Sequence, residues 1–457
     1  MSPPPSLPLL DAATPLHAPL AWRGGRPIDR ARFLRDVEAL ARTLPEGGPV
    51  LAMTADRYRF ALALGAALRR GQAGLMPPNH TPDMIERLRG LFPAAYALAD
   101  ADAPAIGLPT VALAEGGGEG EAHGLPDLPG DHEVAQVLTS GSTGQPAPHG
   151  KRWDLLHLNL RAEARRVAEH LGRPDLRGVT LVGTVPAHHM YGFESTVLLA
   201  MLGGAAFAAE RPFFPGDIAA VLASVPRPRV LVTTPFHLRT LVESGLAVPP
   251  VDLTISATAP LSPQLAARAE AVLGGPLMEI YGCTEAGQVA TRRPTVAPEW
   301  TVFDGLVLSG DGDAAVVQGG HVPEPVRLAD VLEVLSPTRL RLLGRANDLI
   351  NVAGKRSSLA HLNHHLNSLD GVADGAFWLP PDGGDGDVVR LVALVVAPPE
   401  VTAEALRAGL RRRVDPAFLP RRILRVPALP RDPTGKLPAG RLAELAARLL
   451  AEGDGRG

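Results

Sequence analysis

Cysteine is almost absent from this chain. Its 457 residues include one, Cys283, which excludes an intramolecular disulfide and fits a reducing compartment, so the cytoplasm is the expected location. Long apolar runs are missing too, and no stretch approaches the roughly 20 residues of a membrane span. The amino-terminal "MSPPPSLPLLDAATPL" lacks both the basic start and the clean apolar centre of a signal peptide. A net charge of −3 gives no electrostatic case for nucleic acid or anionic membrane as the main partner. No fixed-period repeat occurs, which argues against a solenoid. What remains is globular: 46% hydrophobic and 20% charged residues, enough at roughly 100–200 residues per domain for two to four domains or subdomains.

The scarcest ordinary residue is lysine. Of 45 cationic side chains only Lys151, Lys355 and Lys436 are lysines; the others are arginines. Abundant Ala, Gly and Pro suggest a coding bias that converts surface lysines to arginine. A lysine that survives such a bias is a candidate for a place where a compact ammonium is needed and a planar guanidinium does not serve.

Along the chain, helical and strand-like patterns alternate. Residues 29–44, 57–70, 215–225 and 236–245 carry apolar positions at helical spacing, and 48–53, 178–185 and 229–235 read as buried strands. Such alternation predicts an α/β fold: a large N-terminal domain, 1–344, of helix-covered, mostly parallel sheets. Gly/Pro/acid-rich loops are expected near 115–132 and 309–325. From 345 a smaller, mobile α+β C-terminal domain is expected to 457, with a strand at 348–354, a helix at 359–368, a strand at 388–397 and a helix at 402–413. Its hinge would sit near Asn347.

Four stretches carry chemistry. "TSGSTGQPAPHGKRW", Thr139 to Trp153, gathers Thr139, Ser140, Gly141, Ser142, Thr143 and Gly144, hydroxyls and flexible backbone suited to an anion. It is not a Walker loop: five residues separate Gly144 from Gly150 where four are required, and Arg152 follows Lys151. "MEIYGCTEAG", 278–287, brings a strand into Tyr281-Gly282, then Thr284 and the carboxylate Glu285, a candidate Mg²⁺ ligand beside phosphates. Cys283 itself reads as a small packing residue, with no base beside it. "GRANDLINVAGKR" spans Arg345, Asn347, Gly354 and Lys355. "PRDPTGK" ends on Lys436, exposed after a Pro/Thr turn.

In this order the four motifs resemble those of the adenylate-forming superfamily of acyl-CoA synthetases, peptide-synthetase adenylation domains and luciferases, over about residues 30–445. "SATAPL", with Thr258 and Ala259, resembles that family's adenine turn. "VPAHHMYGF", with His189, Tyr191 and Phe193, resembles its acyl-pocket segment. Asp330, 15 residues before Arg345, has the spacing of its ribose-binding aspartate.

The resemblance implies a two-step reaction with ATP and Mg²⁺: a carboxylate attacks the α-phosphate to give acyl-AMP and pyrophosphate, then a thiol displaces AMP. It implies that Thr139–Gly144 hold the β- and γ-phosphates and that Glu285 holds Mg²⁺. Thr284 would meet the α-phosphate, Tyr281 and Gly282 the adenine side, Asp330 both ribose hydroxyls, and Arg345 the nucleotide. Lys436 would bridge carboxylate and α-phosphate, while Asn347, Gly354 and Lys355 would form the hinge and thioester loop.

Some positions depart from the family pattern. Ala147 stands where the family has a lysine after the proline. Lys151 is expected to substitute, brought back to the phosphates by a longer loop kinked at Pro146 and Pro148. Asn347 provides no hinge charge. The acidic segment after the hinge is replaced by "AHLNHHL", 360–366, whose histidines read as helix surface. A histidine with aromatics near 189 resembles aryl-acid ligases. The whole pattern is similar to the short adenylating enzymes of aryl polyene and related pigment pathways. That implies a hydroxybenzoate-like acid, with an acyl carrier protein favoured over CoA as acceptor because nothing marks a CoA nucleotide pocket. The alternatives are a fatty or other acyl-CoA ligase, or a non-catalytic scaffold of the same fold.

Overall fold

The computed structural model describes residues 5–116, 124–140, 146–345, 349–352, 355–380, 391–431 and 437–454. Its centre is an 11-stranded mixed sheet. Thr180–Gly183, Arg229–Thr233, Leu253–Ser256 and Leu277–Cys283 run parallel there, with Val182 opposite Leu231 and Ile255 opposite Met278. Nearly every residue of these strands is buried, which is why they read as unbroken apolar runs without alternation. The helices between them, Pro215–Ser224, Pro235–Glu243 and Pro263–Leu273, each start on proline, whose missing N–H is not needed in a first turn. Thr234 and Ser262 cap two of them, accepting from the backbone of His237 and Leu265. The sheet then turns antiparallel through Gly287–Arg292, Trp300–Val302, Arg339–Arg345 and Asp330–Ser336.

A second, six-stranded sheet contains Val50–Met53 at its centre and ends in the hairpin Glu133–Ser140 with Pro146–Arg152. Residues 146–152 thus form a strand where the sequence suggested a long kinked loop. Pro146 and Pro148 lie at the edge of the sheet, where a missing N–H faces away from any partner. The interruption expected at 309–325 is likewise a three-stranded meander, Leu306–Ser309, Val316–Gly319 and Val322–Arg327. Within the expected loop at 115–132, Asp127–Pro129 pairs with Ser6–Pro8. Glycine and proline clusters mark turns well, but they do not exclude short strands between them.

Toward the C-terminus, Asp374–Trp378, Val392–Val396 and Arg422–Arg425 form a three-stranded sheet under helices Leu359–Asn367, Ala403–Arg411 and Ala439–Asp454. Leu362, Leu366, Phe377 and Leu410 centre one apolar cluster there, and Leu394, Leu442 and Ala446 another. Asp374 receives Arg431 at 2.7 Å and lies 3.9 Å from Arg239 on the helix Pro235–Glu243. Among the described residues no helix is long and apolar enough to cross a membrane.

Candidate active site

Ligands of open α/β sheets bind beyond the carboxyl ends of the parallel strands. Here those ends release Thr184, Thr234, Thr258 and the turn Tyr281–Glu285. The most heavily bonded side chain behind them is Arg57, at the start of the helix Arg57–Arg69 and 2% exposed. Its guanidinium donates to the carbonyls of Gly183 (3.1 Å), Val185 (2.8 Å), Ala208 (3.0 Å) and Glu210 (2.9 Å), and to Thr196 Oγ1 (3.0 Å). Five donors meet five acceptors, so the strand ends and the segment carrying His189 are fixed relative to each other.

The turn at Tyr281 is sterically exacting. A Cβ on Gly282 would lie 2.3 Å from the Gly287 carbonyl oxygen, so only glycine lets the strands Leu277–Cys283 and Gly287–Arg292 close there. Tyr281 packs edge-on against Trp300, with centroids 5.9 Å apart, and donates its hydroxyl to Asp330 Oδ2 at 2.8 Å. Asp330 pairs in register with Arg345 across the hairpin of Asp330–Ser336 and Arg339–Arg345. Residues far apart in sequence thus meet at the ends of the parallel strands.

Glu279, 3% exposed, holds the neighbouring turn. It accepts from the Leu261 backbone N–H (3.1 Å) and from Arg292 (2.7 Å). The "SATAPL" turn is thereby tied to the Tyr281 strand, with Thr258 held at φ +81° and its hydroxyl buried without a partner. A non-glycine residue there is strained by about 1–3 kcal/mol, a cost retained mostly where a backbone must meet a ligand.

Lys151 reaches this turn by a route other than the expected loop. It pairs with Ala135 in the hairpin, and its ammonium donates to the Thr284 carbonyl. Burial pushes its pKa down, opposed by the charges of Glu194, Cys283 and Glu285. Glu285 is exposed. Burial raises the Cys283 thiol to about 12, with Glu285 beside it adding to the effect, so this cysteine packs and does not attack. For Mg²⁺ the donor set fits. One exposed carboxylate next to a hydroxyl suits a hard cation that takes its other ligands from phosphates and water, and no cluster of three metal-binding side chains exists among the described residues.

The acyl-wall residues are spread over several surroundings. His189 is half-buried. Its neighbour His188 lies against His80, ring centroids 5.7 Å apart, and burial with nearby His80, Arg211 and His189 lowers it to about 4. Tyr191 is buried and donates to the Ile255 carbonyl at 3.0 Å. Phe193 packs edge-on against Phe60 in the main core. Gly141, Ser142, Thr143, Gly144, Asn347, Gly354 and Lys436 lie outside the described residues. Thr139, Ser140, Arg345 and Lys355 are described only as members of their strands.

A buried polar group that motif spacing does not reveal lies next to this turn: Asn159, Glu163, Glu194, Gln288 and His321, all under 9% exposed. One signal was available. Trp153, Leu156, Leu160 and Val167 form the apolar stripe of their helix, and Asn159 and Glu163 interrupt it.

Parallel strands, a glycine-closed turn bearing a carboxylate, and a tyrosine–aspartate pair define a nucleotide-using α/β enzyme. Comparison with known proteins agrees. Residues 98–323 match the AMP-binding enzyme family. The 4-coumarate–CoA ligase of Rhodobacter capsulatus is 33% identical over 286 residues, 62% of this chain and 68% of that protein. The enzyme of the same name from Halorhodospira halophila is 26% identical over 85% of this chain and 88% of its own. The fold matches o-succinylbenzoate CoA synthetase of Bacillus subtilis. Its acyl-adenylate complex has TM-score 0.77 at 16% identity, covering 97% of this chain and 98% of that one. Its complex with ATP and a magnesium ion has TM-score 0.75 at 16% identity, covering 93% and 96%. The chain belongs to the AMP-binding, adenylate-forming enzyme family, and it is an AMP-forming acid–thiol ligase. The non-catalytic scaffold is set aside.

Proposed function

We propose that this enzyme activates an aryl carboxylic acid with ATP and passes the acyl group to a phosphopantetheine thiol. The observation that carries the reading is the meeting of Tyr281 with Asp330 and of Lys151 with Thr284 around one turn at the ends of the parallel strands. In this reading Tyr281 and the Thr258–Ala259 turn seat adenine and Asp330 orients the ribose. The backbone and hydroxyls of Thr139–Gly144 receive the β- and γ-phosphates. Lys151 fixes the Thr284 carbonyl, so that the threonine hydroxyl meets the α-phosphate in one orientation.

The difficulty of the first step is to bring two anions together, which fixed donors relieve without reorganising. Glu285 would hold Mg²⁺, which when bound shields the phosphates' negative charge. Lys436 would bridge the carboxylate and the α-phosphate while a carboxylate oxygen bonds to phosphorus and the bond to pyrophosphate breaks. In the second step the thiol sulfur bonds to the acyl carbon and AMP leaves. Rotation of residues 345–457 about a hinge near Asn347, with Gly354 and Lys355 moving to the site, would change which groups face the acid. His189 is assigned to the acid's carboxylate end, with Tyr191 and Phe193 giving the ring's wall its shape.

For the acid, the names of the Rhodobacter and Halorhodospira relatives support an aryl substrate. For the acceptor they favour CoA, whereas the sequence pattern favours a carrier protein; both present the same pantetheine arm. ATP–pyrophosphate exchange across benzoic, cinnamic and fatty acids tests the reading, followed by acyl transfer to CoA and to a phosphopantetheinylated carrier. Exchange restricted to fatty acids, or to none, would overturn it. In the same assay Lys436→Ala is expected to abolish acyl-AMP formation while transfer from a supplied adenylate largely survives; equal loss of both steps would remove Lys436 from its role.

A further inference from the structure

The two-step reaction makes no use of the polar group buried beside the Tyr281–Glu285 turn. Glu163, on the helix Trp153–His170, has no exposed surface, and its carboxyl oxygens make no hydrogen bond of ordinary geometry. Ser195 and Gln288 lie beside it and stabilise its charged form only in part, so burial lifts its pKa to about 7. Gln288 Nε2 is directed to Ser195 Oγ at 3.1 Å, which leaves Gln288 Oε1 without a donor. One turn earlier on the helix, Asn159 donates to Glu194 at 2.7 Å and its own Oδ1 is unmatched. Four buried acceptor atoms, on residues no more than 3% exposed, lack a hydrogen bond of ordinary geometry.

Each unmatched buried acceptor costs about 1–3 kcal/mol, and apolar residues of the same shape would remove that cost. A surplus of acceptors is sensible where the donor arrives with a ligand. A site built to hydrogen-bond a substrate group rejects analogues that lack it, whereas an apolar pocket discriminates weakly.

The cluster adjoins the segment assigned to the acid. Glu194 and Ser195 directly continue His189–Phe193 within the π-helical segment Phe193–Leu198, a form found often at functional sites. On the other side, a Cβ on Gly287 would come within 3.5 Å of Glu194 Oε1, 3.6 Å of Asn159 Nδ2 and 3.7 Å of His321. Gly287 pairs with Cys283 of the turn. Lys151, whose charge acts on Glu194, joins the cluster to the Thr284 carbonyl. The acceptors therefore border the acyl segment on one side and the strand Gly287–Arg292 on the other. A cavity bounded by Thr14, Trp22, Arg177 and Gly204 lies at the other end of the large sheet and takes no part.

We propose that Glu163, Gln288 and Asn159 form the distal subsite of the acid pocket, and that they select acids carrying a hydrogen-bond donor, a ring hydroxyl or amine, remote from the carboxylate. The proposal rests on the aryl-acid reading of the site and narrows it. Ser195 holds Gln288 in place, and the Lys151–Glu194 pair closes the side toward the nucleotide.

The test is ATP–pyrophosphate exchange with matched hydroxy-, amino-, methoxy- and unsubstituted benzoic and cinnamic acids. For the wild type, kcat/KM for the hydroxy or amino acid is expected to exceed that of its methoxy or unsubstituted counterpart by at least about 100-fold. In Glu163→Leu that ratio is expected to shrink at least about tenfold, while Glu163→Gln, which keeps an acceptor, retains most of it. The ratio is taken within one protein, so a smaller folded fraction cancels. Should Glu163→Leu not fold, Gln288→Met is read the same way. Equal use of acids with and without a donor, or a ratio unmoved by the variant that folds, would overturn this subsite and leave aryl-acid activation intact. Exchange with no aryl acid would overturn the reading beneath it as well.

Discussion

The Tyr281 hydroxyl donates to Asp330 Oδ2 at 2.8 Å, joining the end of a parallel strand to the start of an antiparallel one 49 residues later in the chain. This bond orients the carboxylate assigned to the ribose. A hydrogen bond to a charged group contributes about 1.5–3 kcal/mol, and the partial exposure of Asp330 places this one near the lower figure. Tyr281→Phe keeps the ring against Trp300 and removes the bond. KM for ATP is expected to rise about tenfold, since 1.4 kcal/mol is one decade, with kcat changed less. Steady-state exchange kinetics measure both, and an unchanged KM would separate Tyr281 from the nucleotide site.

Lys151 is bonded to the backbone of the very turn that carries Thr284 and Glu285. Lys151→Ala is expected to raise KM for ATP at least about tenfold, as loss of a fixed electrostatic donor does. Lys151→Arg is expected not to restore it, because a planar fork does not replace a single ammonium on one carbonyl. ATP titrations at saturating acid give the values; an ordinary KM in the alanine variant would show that Lys151 acts only on the fold.

Glu163 gives the folded state a characteristic dependence on pH. Its carboxyl is lifted from 4.5 to about 7 by burial, so between those values the native protein holds a proton that the unfolded chain has lost. Stability contributed this way is present at low pH and falls as pH rises toward 7, by about 1.4 kcal/mol per unit. Denaturant melts at pH 5 and pH 8 are expected to show the wild type losing roughly 2–3 kcal/mol relative to Glu163→Gln. His157, His188 and His321, each lowered to about 4 by burial, act in the opposite sense below their ordinary 6.5. They are common to both proteins and cancel in the difference. Parallel curves for the two would place Glu163 in a wetter setting than its burial indicates.

Much of the fold was legible because it follows from local rules. The helix expected at 57–70 is Arg57–Arg69, and the strand expected at 229–235 is Arg229–Thr233. Apolar periodicity and proline at first turns are properties of neighbouring residues and survive without tertiary information. The strand Pro146–Arg152 departs from the loop that its prolines lead one to expect. Edge strands accept them, and whether a strand is at an edge is a matter of topology.

Residue identity and order establish the chemistry on offer: three lysines, a glycine-rich hydroxyl loop, and a carboxylate behind a Tyr-Gly turn, in the order of an adenylate-forming enzyme. Tertiary structure alone decided which of them meet. It sent Lys151 through strand register to the Thr284 carbonyl, set Tyr281 on Asp330, and placed Asn159 and Glu163 opposite Glu194 and Gln288, where several acceptor atoms lack a well-formed hydrogen bond. The reason is that spacing along a chain fixes only neighbours a few residues away. Contacts across 49 or 133 positions depend on how the strands are ordered in the sheet, and burial acquires its electrostatic consequences only once that order is set.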